Sequence, residues 1–169
     1  MSQTVWTRLD AVARSLFPFA FTLLLVMAGM VPLRIPDLSP VVPSFGLIAV
    51  YYWTIYRPDL MPSWAVFPIG MAQDLLGGGP LGINVVVLLV LCAAIGAQRR
   101  FLATGSFALV WAIFLPVAAG AFLLAWLFHS LIAGILIDPK PAVFQYMTTA
   151  AVYPCFAWLF AQAQRALLR

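Results

Sequence analysis

The chain has no glutamate, one lysine, one histidine and two cysteines. Only 8% of its 169 residues are charged and 64% are hydrophobic, whereas a soluble domain carries about 25% charged residues. A water-soluble core of this size cannot hide so much apolar surface. Each absence also closes a class of function. Without glutamate and with His129 alone, the zinc-protease pattern H-E-x-x-H cannot be written. Neither a G-x-x-x-x-G-K phosphate loop nor a G-x-S-x-G nucleophile elbow occurs. Cys92 and Cys155 both fall inside apolar runs and read as small packing residues, not as a disulfide or a metal site. His129 reads as a hydrogen-bonded or solvated side chain near the end of a run. An intramembrane aspartyl protease needs two embedded carboxyls that share a proton. Asp74 alone lies deep in apolar sequence; Asp10, Asp37, Asp59 and Asp138 lie near arginine, lysine or proline in expected loops. No catalytic residue, cofactor or metal site is therefore expected. The net charge of +4 comes without a basic cluster long enough to hold nucleic acid.

What is present is a series of apolar segments. The runs 15–33, 43–56, 60–73, 75–98, 101–137 and 141–164 are bounded by charges or prolines. A spanning helix needs about 20 apolar residues, which the first, fourth and sixth runs supply. The fifth is too long for one straight span, so 107–128 is expected to cross and the remainder to extend outside or re-enter. The second and third are short. They read as two short helices or as partly buried segments that do not face lipid. The expected fold is an all-α integral membrane protein of about six transmembrane helices over 15–164. A cytoplasmic N-terminal segment 1–14 and a cytoplasmic C-terminus 165–169 flank it. Val5, Leu9 and Val12 recur at helical spacing, which suits a short amphipathic helix on the interface. A signal peptide is disfavoured, because the run is long and Pro32-Leu33-Arg34 makes a poor cleavage site. With both termini cytoplasmic, Arg8, Arg14, Arg57, Arg99, Arg100, Arg165 and Arg169 lie inside, and only Arg34 and Lys140 outside. That distribution obeys the positive-inside rule and suits contact with anionic membrane lipids. Small-xxx-small spacings at Ala93/Ala97, Ala121/Ala125 and Ala157/Ala161 permit close helix approach.

The middle of the chain is the most informative. Tyr51, Tyr52, Trp53 and Tyr56 read as an aromatic belt at the cytoplasmic boundary. Arg57-Pro58-Asp59 reads as a tight turn joining the second and third spans. Asp74 lies one turn before Gly77-Gly78-Gly79-Pro80. The glycines permit tightly folded backbone, and Pro80 suits the first turn of the next helix. Asp74 could accept hydrogen bonds from the free amides of that loop or helix start. Two readings stand: a capped external turn, or a shaped docking or ligand loop.

These residues carry a family resemblance. An aromatic-rich span is followed by Arg57, Pro58 and Asp59. Then come Gly70, Asp74, Leu75, Leu76 and Gly77, and finally Pro80, Leu81, Gly82 and Asn84. This pattern resembles the bacterial rod shape-determining MreD family over about 40 residues, and chain length and span number extend the similarity. The resemblance implies a non-enzymatic scaffold of the cell-elongation machinery in the bacterial inner membrane. Implied partners are MreC, the MreB filament, and the RodA-type glycosyltransferase with its class B penicillin-binding protein. It also implies a fold similar to the substrate-binding subunits of energy-coupling-factor transporters. That likeness supplies the alternative function, a membrane subunit that captures a small ligand.

Overall fold

A computed structural model describes residues 18–29 and 42–167. Every regular element among them is helical. The helices are α1 (Pro18–Gly29), α2 (Phe45–Tyr56), α3 (Ser63–Gly77), α4 (Ile83–Thr104), α5 (Phe107–Ala133) and α6 (Lys140–Leu167). The amphipathic segment through Val5, Leu9 and Val12, and Arg34 and Asp37, lie outside the described residues.

The helices differ in length with consequence. At 1.5 Å per residue, α4, α5 and α6, with 22, 27 and 28 residues, run about 33 to 42 Å. Each exceeds the ~30 Å hydrocarbon layer. Helices α2 and α3, with 12 and 15 residues, reach only about 18 and 22 Å. Their shortness is matched by their position. Ten of the twelve residues of α2 are buried, and the helix is packed among α3, α4 and α6. The second apolar run is thus a short helix enclosed by protein.

This placement corrects the reading of the aromatics. An interfacial belt would show its rings to lipid, yet Tyr51, Tyr52 and Trp53 are all at most 4% exposed. They belong to the buried core instead. Phe114 lies edge-on to Tyr51 at 5.0 Å and stacks on Tyr153 at 4.2 Å, and Phe160 packs against Tyr52 and Trp53. The buried hydroxyls are satisfied within the bundle: Tyr51 donates to the Val110 carbonyl at 2.9 Å and Tyr52 to Gln164 Oε1 at 3.1 Å. A ring needs no boundary when a neighbouring helix supplies its acceptor.

Other boundaries shift as well. Helix α5 continues unbroken past 128 to Ala133, through Pro116. Gly134, at φ 66°, ends it in a left-handed cap. The fourth run begins as helix only at Ile83, and α4 carries on through Arg99 and Arg100. Of the small-residue pairs, Ala121 and Ala157 are buried, while Ala93 and Ala97 face outward. Cys92 and Cys155 are both free thiols.

Cross-links between helices define two ends of the bundle. Tyr52–Gln164 and Tyr51–Val110 tie the end of α2 to the end of α6 and the start of α5. Ser44 N–H donates to Thr149 Oγ1 at 3.0 Å and Gln145 Nε2 to the Val42 carbonyl at 3.2 Å, tying the start of α2 to the first half of α6. Arg57, Arg99, Arg100 and Arg165 therefore gather at one end. Asp74, Asn84, His129, Asp138 and Lys140 gather at the other.

Candidate functional site: the joint between α3 and α4

Helix α3 buries Ala65, Val66, Ile69, Gly70, Gln73 and Asp74. The spacing puts all six on one face, and that face lies on α4. Gly70 is required there by contact. A Cβ at Gly70 would stand 2.6 Å from the Val85 Cα, closer than real atoms come. The hydrogen on Gly70 is what lets the two backbones meet, the device that membrane helices use where close approach replaces a hydrophobic driving force.

One turn along the same face, Asp74 meets the start of α4. Its side chain is 3% exposed. Oδ2 accepts from the Gly82 N–H at 2.8 Å, and Oδ1 accepts from the Asn84 N–H at 3.1 Å and from Asn84 Nδ2 at 2.9 Å. Gly82 is the N-cap of α4 and has no side chain of its own to cap with. Asp74 supplies the missing cap from the preceding helix, satisfying amides that a helix start leaves free. Its negative charge also lies at the positive end of the α4 dipole.

The backbone between them is shaped to permit this. Gly78 at φ 67° and Gly82 at φ 100° occupy left-handed conformations that side chains resist. Gly77 closes α3, and Pro80 lies in the loop, three residues short of the α4 start. Its expected place in the first turn of the helix is thereby corrected: the chain needs Leu81 and Gly82 to bring two amides round to Asp74. Gly79 lies against His129 of α5, whose Nε2 would stand 3.3 Å from a Cβ there. His129 Nδ1 is 2.8 Å from the Ala125 carbonyl; a carbonyl only accepts, so Nδ1 carries the hydrogen.

The outer skin of this joint is apolar. Leu75, Leu76 and Leu81 are 63%, 50% and 63% exposed around the buried carboxylate. The polar group is thus inside and structural, and the surface it shapes is aliphatic.

Arg57, Pro58 and Asp59 form a separate feature. Leu60 N–H donates to the Arg57 carbonyl at 3.1 Å, closing a turn with Pro58 at its second position. The length of α3, about 22 Å, separates this turn from Asp74. One stretch of sequence therefore builds two features at opposite ends of the bundle.

Sequence reasoning passed over Gln73. It is 5% exposed, its Nε2 lies 3.5 Å from Ser44 Oγ, and its Oε1 has no partner among the described residues. The amide fills the space over Gly46, where a Cβ would come within 2.7 Å. Ser44 in turn donates to Thr149, whose hydroxyl donates to the Gln145 carbonyl at 2.6 Å. The one available signal was Gln73 itself, a polar residue beside Asp74 on the same face.

The sequence profile of the family described as rod shape-determining protein MreD matches residues 10–163. The chain belongs to the MreD family. Neither a curated protein nor a solved structure matches it. Membership of the MreD family assigns it to rod shape determination. Together with two helices long and apolar enough to cross a bilayer, membership makes it a membrane protein. The Gly70 and Asp74 contacts give physical content to the run by which the chain resembles MreD sequences: a close helix crossing, then an interhelical cap.

Proposed function

We propose that the chain is a non-enzymatic, multi-pass scaffold of the bacterial elongation machinery, acting in lateral peptidoglycan synthesis. It would bind MreC, the MreB filament and the RodA-type glycosyltransferase with its class B penicillin-binding protein. The observation that carries this is the α3–α4 joint. A buried carboxylate pins this joint, whose outward side chains are Leu75 and Leu76 of the last turn of α3 and Leu81 of the loop, and packing of such side chains is what drives helix association in a bilayer.

The gathering of Arg57, Arg99, Arg100 and Arg165 at one end supports an inner-membrane orientation with that end cytoplasmic. Both termini would then be cytoplasmic and six helices would cross, in the manner of the substrate-binding subunits of energy-coupling-factor transporters. With Cys92→Ala and Cys155→Ala removing the native thiols, single cysteines introduced by Asp59→Cys and Asp138→Cys test this. In intact spheroplasts a membrane-impermeant maleimide should label the second and spare the first; the reverse pattern would sink the orientation.

Mild-detergent purification of the tagged protein, followed by mass spectrometry, tests the function. An MreC-like protein and wall synthases should co-purify. Leu76→Ser with Leu81→Ser should remove them while the protein inserts normally, and Asp74→Asn should weaken recovery by loosening the loop. Recovery of ATPase subunits or a bound vitamin-like molecule would instead make this a transporter component.

A further inference from the structure

Helices α5 and α6 do not close fully at the end opposite the arginines. Between them lies an apolar recess of about 240 Å³, lined chiefly by Ala119, Phe122 and Trp126 of α5 and Ala142, Val143 and Tyr146 of α6. Ala119 and Ala142 are too small to fill it. The indole of Trp126 is turned to the protein: its Nε1 donates to the Ile137 carbonyl at 2.9 Å. Pro139 closes one side of the recess, and Asp138 and Lys140 flank that proline. Their charged atoms lie 3.8 Å apart, with the Lys140 and Asp138 side chains 80% and 59% exposed.

The two parts specify one occupant. A recess of about 240 Å³ has room for a bulky side chain or for a length of acyl chain, and the charged pair beside it points to the lipid. On either side of the lining residue Pro139, a carboxylate and an ammonium form a loose, exposed pair that is worth little as it is. A headgroup carrying both signs satisfies each of them, its phosphate on Lys140 and its ammonium on Asp138. A purely anionic headgroup would meet the Asp138 charge at close range. A primary ammonium donates hydrogen bonds to the carboxylate; a quaternary one cannot.

We propose that the α5–α6 recess holds one phospholipid of the phosphatidylethanolamine class, with a chain beside Trp126 and Tyr146 and its headgroup across Asp138 and Lys140. The site rests on the chain being a membrane protein, and not on its place in wall synthesis. Its failure therefore leaves the assembly experiment above untouched.

The test uses the full-length protein in nanodiscs of phosphatidylglycerol containing a minor fraction of phosphatidylethanolamine, released into native mass spectrometry. One phosphatidylethanolamine should remain bound in preference to the bulk lipid, and phosphatidylcholine in its place should be retained less. Asp138→Asn and Lys140→Gln should each lower the retained fraction about two- to fivefold, the range of an exposed ionic contact. Ala119→Leu with Ala142→Leu should abolish retention by filling the recess. The two charge variants lie at exposed positions, so their effect does not depend on folding. Equal retention of the three lipids, or retention unchanged in both charge variants, would overturn the site.

Discussion

Asp74 acts through three donors, and its value can be divided among them. Asp74→Ala leaves the Gly82 and Asn84 amides and the Asn84 side chain without their acceptor. Hydrogen bonds to a charged group are individually worth about 1.5 to 3 kcal/mol. The variant should lose about 4.5 kcal/mol or more, read as earlier thermal unfolding in detergent. Asn84→Ala removes one donor and keeps the backbone bond, so it should cost about 1.5 kcal/mol. Comparable losses in the two variants would show that the backbone amides contribute little. Gly70→Ala works by another route. The added methyl meets the Val85 backbone, not a mobile side chain, so α3 and α4 must part. The expected cost is about 1 to 3 kcal/mol, and Gly70→Ser should be at least as damaging.

Among elements, the loop between α3 and α4 concentrates the backbone constraint. A Cβ at Gly78 or at Gly82 meets nothing within 4 Å, so alanine there tests conformation alone. Gly78→Ala should cost about 1 kcal/mol, since φ near 67° is a left-handed well that other residues visit. Gly82→Ala, at φ 100°, should cost more and should also displace the amide that Asp74 binds. Thermal melts of the two variants give the ranking, and equal losses would argue against a special role for Gly82. The sequence disclosed much at this scale. It showed the Arg57-Pro58-Asp59 turn, because proline at the second turn position is a local preference. It also showed Asp74 as an acceptor for the next helix start, because the glycines announce free backbone. It misplaced the Tyr51, Tyr52 and Trp53 rings, since an aromatic cluster reads alike at a boundary and in a core. What decides is which helices surround α2, a matter of tertiary packing. Pro80 was misplaced for a related reason. Proline is at home in a first helical turn, but the loop had to be longer to reach Asp74. Gln73 was invisible because its partners, Ser44 and the α2 start, lie 29 residues away.

For the whole molecule, the surface itself is diagnostic. Val90 on α4 and Leu123 on α5 are 51% and 57% exposed. On a protein in water, Val90→Lys would be near neutral, within about 0.5 kcal/mol. In a bilayer, a lysine at the centre of a span costs about 2.5 to 3.5 kcal/mol of insertion. The expected outcome is a marked fall in membrane-integrated protein for Val90→Lys, read by carbonate extraction. A fully integrated variant would argue that this face of α4 is covered by protein or water. The separation of arginines from Asp74, Asp138 and Lys140 acts at the same scale, giving the molecule one basic end.

The enclosure of α2 has a consequence for biogenesis. The ribosome delivers this 12-residue helix before α4 and α6, the helices that surround it, have been made. While it waits it is too short to rest across the bilayer by itself, and its tyrosine hydroxyls lack Val110 and Gln164. The nascent chain must therefore shelter α2, in the translocon or beside an insertase, until the last helix has emerged. A nascent chain stalled ahead of α6 should remain crosslinked to the insertion machinery through α2.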